Sequence, residues 1–94
     1  MQKEIANQID HLYQAILSLE TPEECHAFVQ DLCTVAELRA MAQRLEVARL
    51  LDDGLIYNDI LQRTGASSAT ISRVNRALQY GADGYKTVLP RLKK

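Results

Sequence analysis

Apolar residues recur at helical spacing from the start of this chain almost to its end. Ile5, Ile9, Leu12, Tyr13, Ile16 and Leu17 fall at i, i+4, i+7, i+8, i+11 and i+12, while Lys3, Asn7, Asp10, Gln14 and Ser18 occupy the opposite face. That period predicts a first helix over about Gln2 to Leu19. The stretch TPEE then supplies Thr21 as a cap, Pro22 at the first helical position and Glu24 three residues after the cap. This start signal predicts a second helix from Pro22 to about Leu32, burying Phe28, Val29 and Leu32. TVAE repeats the signal with Thr34 and Glu37, and a third helix follows to about Asp52, with Gly54 as a left-handed stop. Its main stripe is Leu38, Met41, Leu45, Ala48 and Leu51, thickened by Val47 and Leu50. A helix apolar beyond one face packs on more than one side, so this one is predicted to be central.

The second half is punctuated by glycine. Leu55 to Thr64 contains a short helix with Ile56, Ile60 and Leu61 apolar, and Gly65 stops it. Ser67 or Ser68 then caps a helix from about Ala69 to Tyr80, which Gly81 ends. After Gly84 the pattern predicts a last short helix over about Tyr85 to Val88, interrupted or redirected by Pro90. No stretch shows strand alternation, internal repetition or low complexity. The expected architecture is all-α, about six helices in a single domain over residues 1–94, with no obvious linker.

Composition narrows the class. The hydrophobic fraction of 47% suits a folded chain, and 94 residues give only a modest core, so a second copy would bury more apolar surface per residue. No apolar run is long enough to span a bilayer and the N-terminus lacks the pattern of a signal peptide, so a cytoplasmic protein is expected. Cys25 and Cys33 stand eight apart, not at a metal-pair spacing, and read as reduced thiols despite His26 beside Cys25. No metal site is expected, and neither His11 nor His26 belongs to a catalytic constellation. With no phosphate-binding glycine loop either, the chain is not expected to be an enzyme. The net charge of −1 conceals a split: the residues up to Leu61 balance to −7, and those from Gln62 onward to +6. A basic end is suited to an anionic partner, although a solvated tail would give the same count.

The two readings of that charge are separated by TGASSATISRVNRAL, Thr64 to Leu78. Two short helices joined by a few residues with glycine fit a helix-turn-helix over about residues 55–80, whose second helix enters the major groove of DNA. Gly65 tolerates the positive φ that the turn needs. Ile71, Val74 and Leu78 at i, i+3 and i+7 form the buried stripe. At about 100° per residue, Ala69, Ser72, Arg73 and Arg76 point the other way. Small side chains at the helix start permit close approach, and its free N–H groups and the arginines suit phosphates and base edges.

With TVAELRAMAQRLEVARLLDDG, TGASSATISR, NRALQYG and GADGYK in view, the chain resembles the Trp repressor superfamily. Within it, the chain more closely resembles the Trp-repressor-like proteins of the YerC/YecD type. The likeness covers roughly the last two-thirds of the sequence. It implies an intertwined homodimer with two helix-turn-helix heads and a palindromic double-stranded DNA operator. The positions matching the family's DNA-contacting turn and helix start are Ser67, Ser68, Ala69, Thr70 and Ser72. The family's corepressor pocket has counterparts in Arg73, in Arg44 if a one-residue gap is placed before Gly54, and in Thr34. The chain departs from the tryptophan-binding members directly after Arg73. Val74 stands where they have a glycine that leaves room for the indole, and Ala77 replaces a serine that meets the ligand's amino group. Tryptophan is therefore not an expected cofactor, because adding bulk to a filled site is costly, and Arg73 and Arg76 are left for phosphate.

The expected function is a dimeric, sequence-specific DNA-binding transcriptional regulator independent of tryptophan. Two other readings fit the same residues: a helical homodimeric protein-interaction module without DNA binding, and a regulator gated by another small molecule.

Overall fold

A computed structural model describes residues 2–93 and contains six helices and no strand among them. They are α1 (Gln2–Leu17), α2 (Pro22–Leu32), α3 (Val35–Asp52), α4 (Tyr57–Thr64), α5 (Ser68–Tyr80) and α6 (Gly84–Leu92). The chain divides into two compact units, one up to Ala36 and the other from Glu37 onward.

In the first unit the local signals act as expected. Thr21 caps α2, its hydroxyl accepting the Glu24 N–H at 3.1 Å, and Pro22 occupies the first turn. The Glu24 carboxylate turns back to accept the N–H of Glu20 at 2.9 Å, one residue before the cap itself. The apolar stripes, however, are largely uncovered in a single chain. Ile5, Ile9, Tyr13, Ile16, Leu17 and Leu32 are exposed, Leu12, Phe28 and Val29 are half-buried, and neither α1 nor α2 has a buried residue.

The second unit contains the core. Val47, Ala48 and Leu50 of α3, Ile60 of α4, Ala66 of the turn, Ile71 and Val74 of α5 and Leu89 of α6 are buried together, with Leu51, Leu55, Leu78 and Tyr85 packed against them. The expected stripe of α3 is therefore corrected over its first half. Leu38, Met41 and Leu45 remain 38–41% exposed, because only the C-terminal half of the helix faces the three that follow. The stop at Gly54 is left-handed as expected, with φ +92°, and the Leu55 N–H closes onto the Leu50 carbonyl at 3.1 Å.

Two differences concern the C-terminal helix. Pro90 lies inside α6 rather than interrupting it, and the helix runs from Gly84 to Leu92. A proline's fixed φ is helical, so the cost is one missing backbone bond and local crowding. Leu89, 2% exposed beside it, anchors that turn in the core. The connection Gly81–Gly84 also uses an unexpected device: Asp83 adopts φ +66°, and its carbonyl accepts the Thr87 N–H at 3.1 Å to open α6. Aspartate is among the few side chains that tolerate this region.

Gly81 ends α5 without the left-handed conformation, at φ −84° and ψ −151°. Its need for glycine is one of space: a Cβ there would stand 2.3 Å from the Ala77 carbonyl oxygen, which accepts the Gly81 N–H. Gly81→Ala is expected to cost about 1–3 kcal/mol, the range for forced overpacking. A urea titration with an unchanged midpoint would refute this.

At the far end, Lys93 Nζ meets Asp52 at 3.0 Å and Asp53 at 3.2 Å, tying the end of α6 to the end of α3. The hydrogen bond to Asp52, then that to Asp53, raises the Lys93 pKa above its ordinary value of 10.5. Because the folded state binds this proton more tightly, the contribution is complete at neutral pH. It is lost only as the pH rises through the lysine range. Arg49, paired with Glu46 and with Asp53 at 3.8 Å, is held in the same sense. Both pairs are exposed and contribute little to stability.

Candidate nucleic-acid interface

α4 and α5 are joined by three residues, Gly65, Ala66 and Ser67. Gly65 takes φ +70° and its N–H closes α4 onto the Leu61 carbonyl at 2.9 Å. Ala66 is pushed into the core, 2% exposed, so the turn is anchored at its middle. Ser67, one of the two expected caps, is the N-cap of α5: its hydroxyl accepts the Thr70 N–H at 3.1 Å and donates to the Thr70 hydroxyl oxygen at 3.0 Å. Ser68 is already the first residue of the helix.

The two faces of α5 separate as its periodicity requires. Ile71 and Val74 are fully buried and Leu78 is half-buried, whereas Ser68, Ala69, Ser72, Arg73 and Arg76 are exposed. Thr70 is half-buried at the edge. Since Ser67 donates to it, the Thr70 hydroxyl keeps its own proton for an outside acceptor. The helix start is thus lined with small side chains and hydroxyls, beside backbone N–H groups that no intrahelical carbonyl satisfies. The guanidinium groups come one and two turns later.

The cations of the second unit divide into a paired and an unpaired set. Arg49, Lys86 and Lys93 have carboxylate partners. Arg63, Arg73 and Arg76, like Arg39, Arg44 and Arg91, make no ion pair among the described residues, and all six are exposed. What sets Arg73 and Arg76 apart is their place on the outer face of α5. A guanidinium without an internal partner presents its full set of donors to a phosphate. Arg63, which the sequence pattern does not mark as a contact, lies in the last turn of α4.

The residues matched to a corepressor pocket are distributed differently. Arg44 and Arg73 are both exposed on the second unit, without an ion pair among the described residues, while Thr34 belongs to the first unit. Val74 is 1% exposed and serves the core. Ala77 faces instead an open apolar groove of about 390 Å³, lined by Leu45, Ala77, Ala82, Gly84, Tyr85 and Val88. No group of three or more His, Cys, Asp or Glu among the described residues is arranged to hold a metal ion. Both cysteines are free, and no described helix is long and apolar enough to cross a membrane.

Two polar residues that no sequence pattern singles out brace the turn. The Thr64 hydroxyl donates to the Ile60 carbonyl at 2.7 Å and accepts the Ala66 N–H at 3.1 Å. Gln43 of α3 donates from Nε2 to the Thr64 carbonyl at 3.2 Å. Gln43 is one of several polar positions on α3, and its partner lies 21 residues away, so no local pattern marks it.

A short helix, a three-residue turn with left-handed glycine, and a capped helix with one buried and one cationic face define a helix-turn-helix protein. Comparison with known proteins gives the family. The model of the Trp repressor protein family matches residues 7–93, and the chain belongs to that family. It is 53% identical over 87 residues to YerC of Bacillus subtilis, a protein described as uncharacterized, covering 93% of this chain and 84% of YerC. A crystal structure of a Trp repressor candidate from Staphylococcus aureus superposes with TM-score 0.89 at 48% identity, covering 99% of this chain and 95% of that one. A TrpR-like protein from Eubacterium eligens gives 0.88 at 49% identity, covering 93% and 90%.

Proposed function

We propose that this protein is a sequence-specific DNA-binding transcriptional regulator that acts as a homodimer and without tryptophan. The observation that carries the reading is the outer face of α5: hydroxyls and small residues at a capped helix start, followed by two exposed arginines with no acidic partner. Ser68, Ala69 and Ser72 approach base edges in the major groove. Ser67 and Thr70 hold the helix start against the backbone, and Arg73 and Arg76 neutralise phosphates. Family membership supports the same reading.

A homodimer is supported by the apolar residues that a single chain leaves uncovered. Ile5, Ile9, Ile16, Leu38, Met41 and Leu45 are 38–49% exposed, well beyond the scattered apolar side chains of an ordinary surface. Leu45 also lines the apolar groove beside α6. Sedimentation at micromolar concentration is expected to give twice the chain mass, with Leu45→Asp shifting the equilibrium toward the monomer. A wild-type protein that stays monomeric refutes the dimer.

Independence from tryptophan rests on Val74, whose side chain is part of the core that a ligand would have to displace. The whole reading is tested by selection from random duplexes. The expected product is an inverted repeat whose half-sites lie about 34–36 Å apart, one turn of DNA. No enrichment at low salt would refute it in favour of a protein-interaction module.

A further inference from the structure

The turn that sets the pose of α5 is connected to the central helix by side chains, through Thr64. All three of this residue's polar functions beyond its own N–H are engaged: the hydroxyl donates to Ile60, the hydroxyl oxygen accepts from Ala66, and the carbonyl accepts from Gln43. The last carbonyls of a helix have no intrahelical partner, and Thr64 is the last residue of α4. Water would serve such a carbonyl at the surface. Here the partner is a part-buried amide 21 residues away in sequence, on a helix whose next turn enters the core at Val47 and Ala48.

The chain of contacts continues beyond Thr64. Ala66, whose N–H Thr64 accepts, is buried and adjoins Ser67, and Ser67 caps α5 through Thr70. From Gln43 to Thr70, hydrogen bonds and one buried side chain connect α3 to the start of the helix proposed to read DNA. We propose that Gln43 is a positioning residue for DNA recognition: its amide fixes the turn, and so the angle at which Ser68, Ala69 and Ser72 are presented. This rests on the DNA-binding reading of α5. Gln43 itself touches no DNA, and the phosphate contacts of Arg73 and Arg76 do not depend on it. Loss of the amide therefore reduces discrimination between duplexes more than it reduces binding to any duplex.

The test uses Gln43→Met, which keeps the length and removes the donor, and Gln43→Glu, which keeps the shape and removes the donor until the carboxyl is protonated. Two quantities are measured for each variant in the full chain. One is amide hydrogen exchange at Ala66 and Thr70 without DNA; the other is the ratio of affinities for the selected and a random duplex. Both variants are expected, at pH 7.5, to exchange about fivefold faster at these amides and to lose about fivefold in the ratio, the size of one net hydrogen bond. Random-duplex affinity should stay within about twofold for Gln43→Met. As the pH is lowered toward 5, Gln43→Glu is expected to recover its exchange protection relative to wild type. A protonated carboxyl can again donate to the Thr64 carbonyl, whereas Gln43→Met has no such group. Exchange and ratio both unchanged, or a uniform loss of stability with no pH recovery, would overturn the proposal. If the wild-type protein fails to discriminate duplexes, the DNA reading itself falls. The exchange data then still decide whether Gln43 holds the turn.

Discussion

Replacing Arg73 and Arg76 together by alanine is expected to weaken binding to every duplex, whatever its sequence, while the fold survives. Both side chains are exposed and free of ion pairs among the described residues, so their truncation removes no internal contact that matters. Surface changes of this kind usually stay within about 0.5 kcal/mol. If each arginine neutralises one phosphate, a dimer loses four. The slope of log affinity against log salt then becomes shallower by about 3.6, and affinity near 0.15 M salt falls on the order of 10²–10³. Changes at Ser68, Ala69 or Ser72 belong to a different class, because they alter which duplex is preferred while largely preserving the slope. Fluorescence anisotropy across a salt series separates the two. An unchanged slope in the double variant would mean that the arginines do not meet phosphate.

Val74→Gly is expected to have the largest effect on stability. The side chain is 1% exposed and packs in the core with Ile60, Ile71 and Leu89. Burial of a valine contributes about 1.5–3 kcal/mol, and glycine within a helix costs about 1 kcal/mol more. A loss of roughly 3 kcal/mol would lower the melting temperature by about 15 °C in a chain of this length. The wild-type protein should show no thermal shift with tryptophan. A ligand at about 100 times its dissociation constant would stabilise it by about 2.7 kcal/mol, which such a scan resolves readily. A clear shift in the wild type would show that Val74 does not exclude the amino acid. A small drop for Val74→Gly would show that it does not build the core.

Much of this organisation was legible because local chemistry decides it. The cap at Thr21, the stop at Gly54, the turn at Gly65 and the Ile71–Val74 stripe each depend on a few neighbouring residues. The structure places each where the pattern put it. The polar contacts across the fold were not legible. Nothing near Thr64 in sequence points to Gln43, and the bond exists only once α3 lies beside the turn. The extension of α6 through Pro90 was hidden for a similar reason: local propensity argued for a break, and burial of Leu89 outweighed it. The exposure of Leu38, Met41 and Leu45 has another origin. Periodicity identifies an apolar face, but it does not say whether the same chain or a second copy covers it.

The outer face of α5 is proposed as the surface that meets DNA. This is tested most directly by following the backbone amides of the labelled protein by NMR as a selected duplex is added at low salt. Perturbations are expected to concentrate from Ser67 to Arg76, strongest near Ser68, Ala69 and Ser72, with α1 and α2 largely silent. Perturbations centred on the exposed face of α1 and α2, or none at saturating duplex, would contradict it.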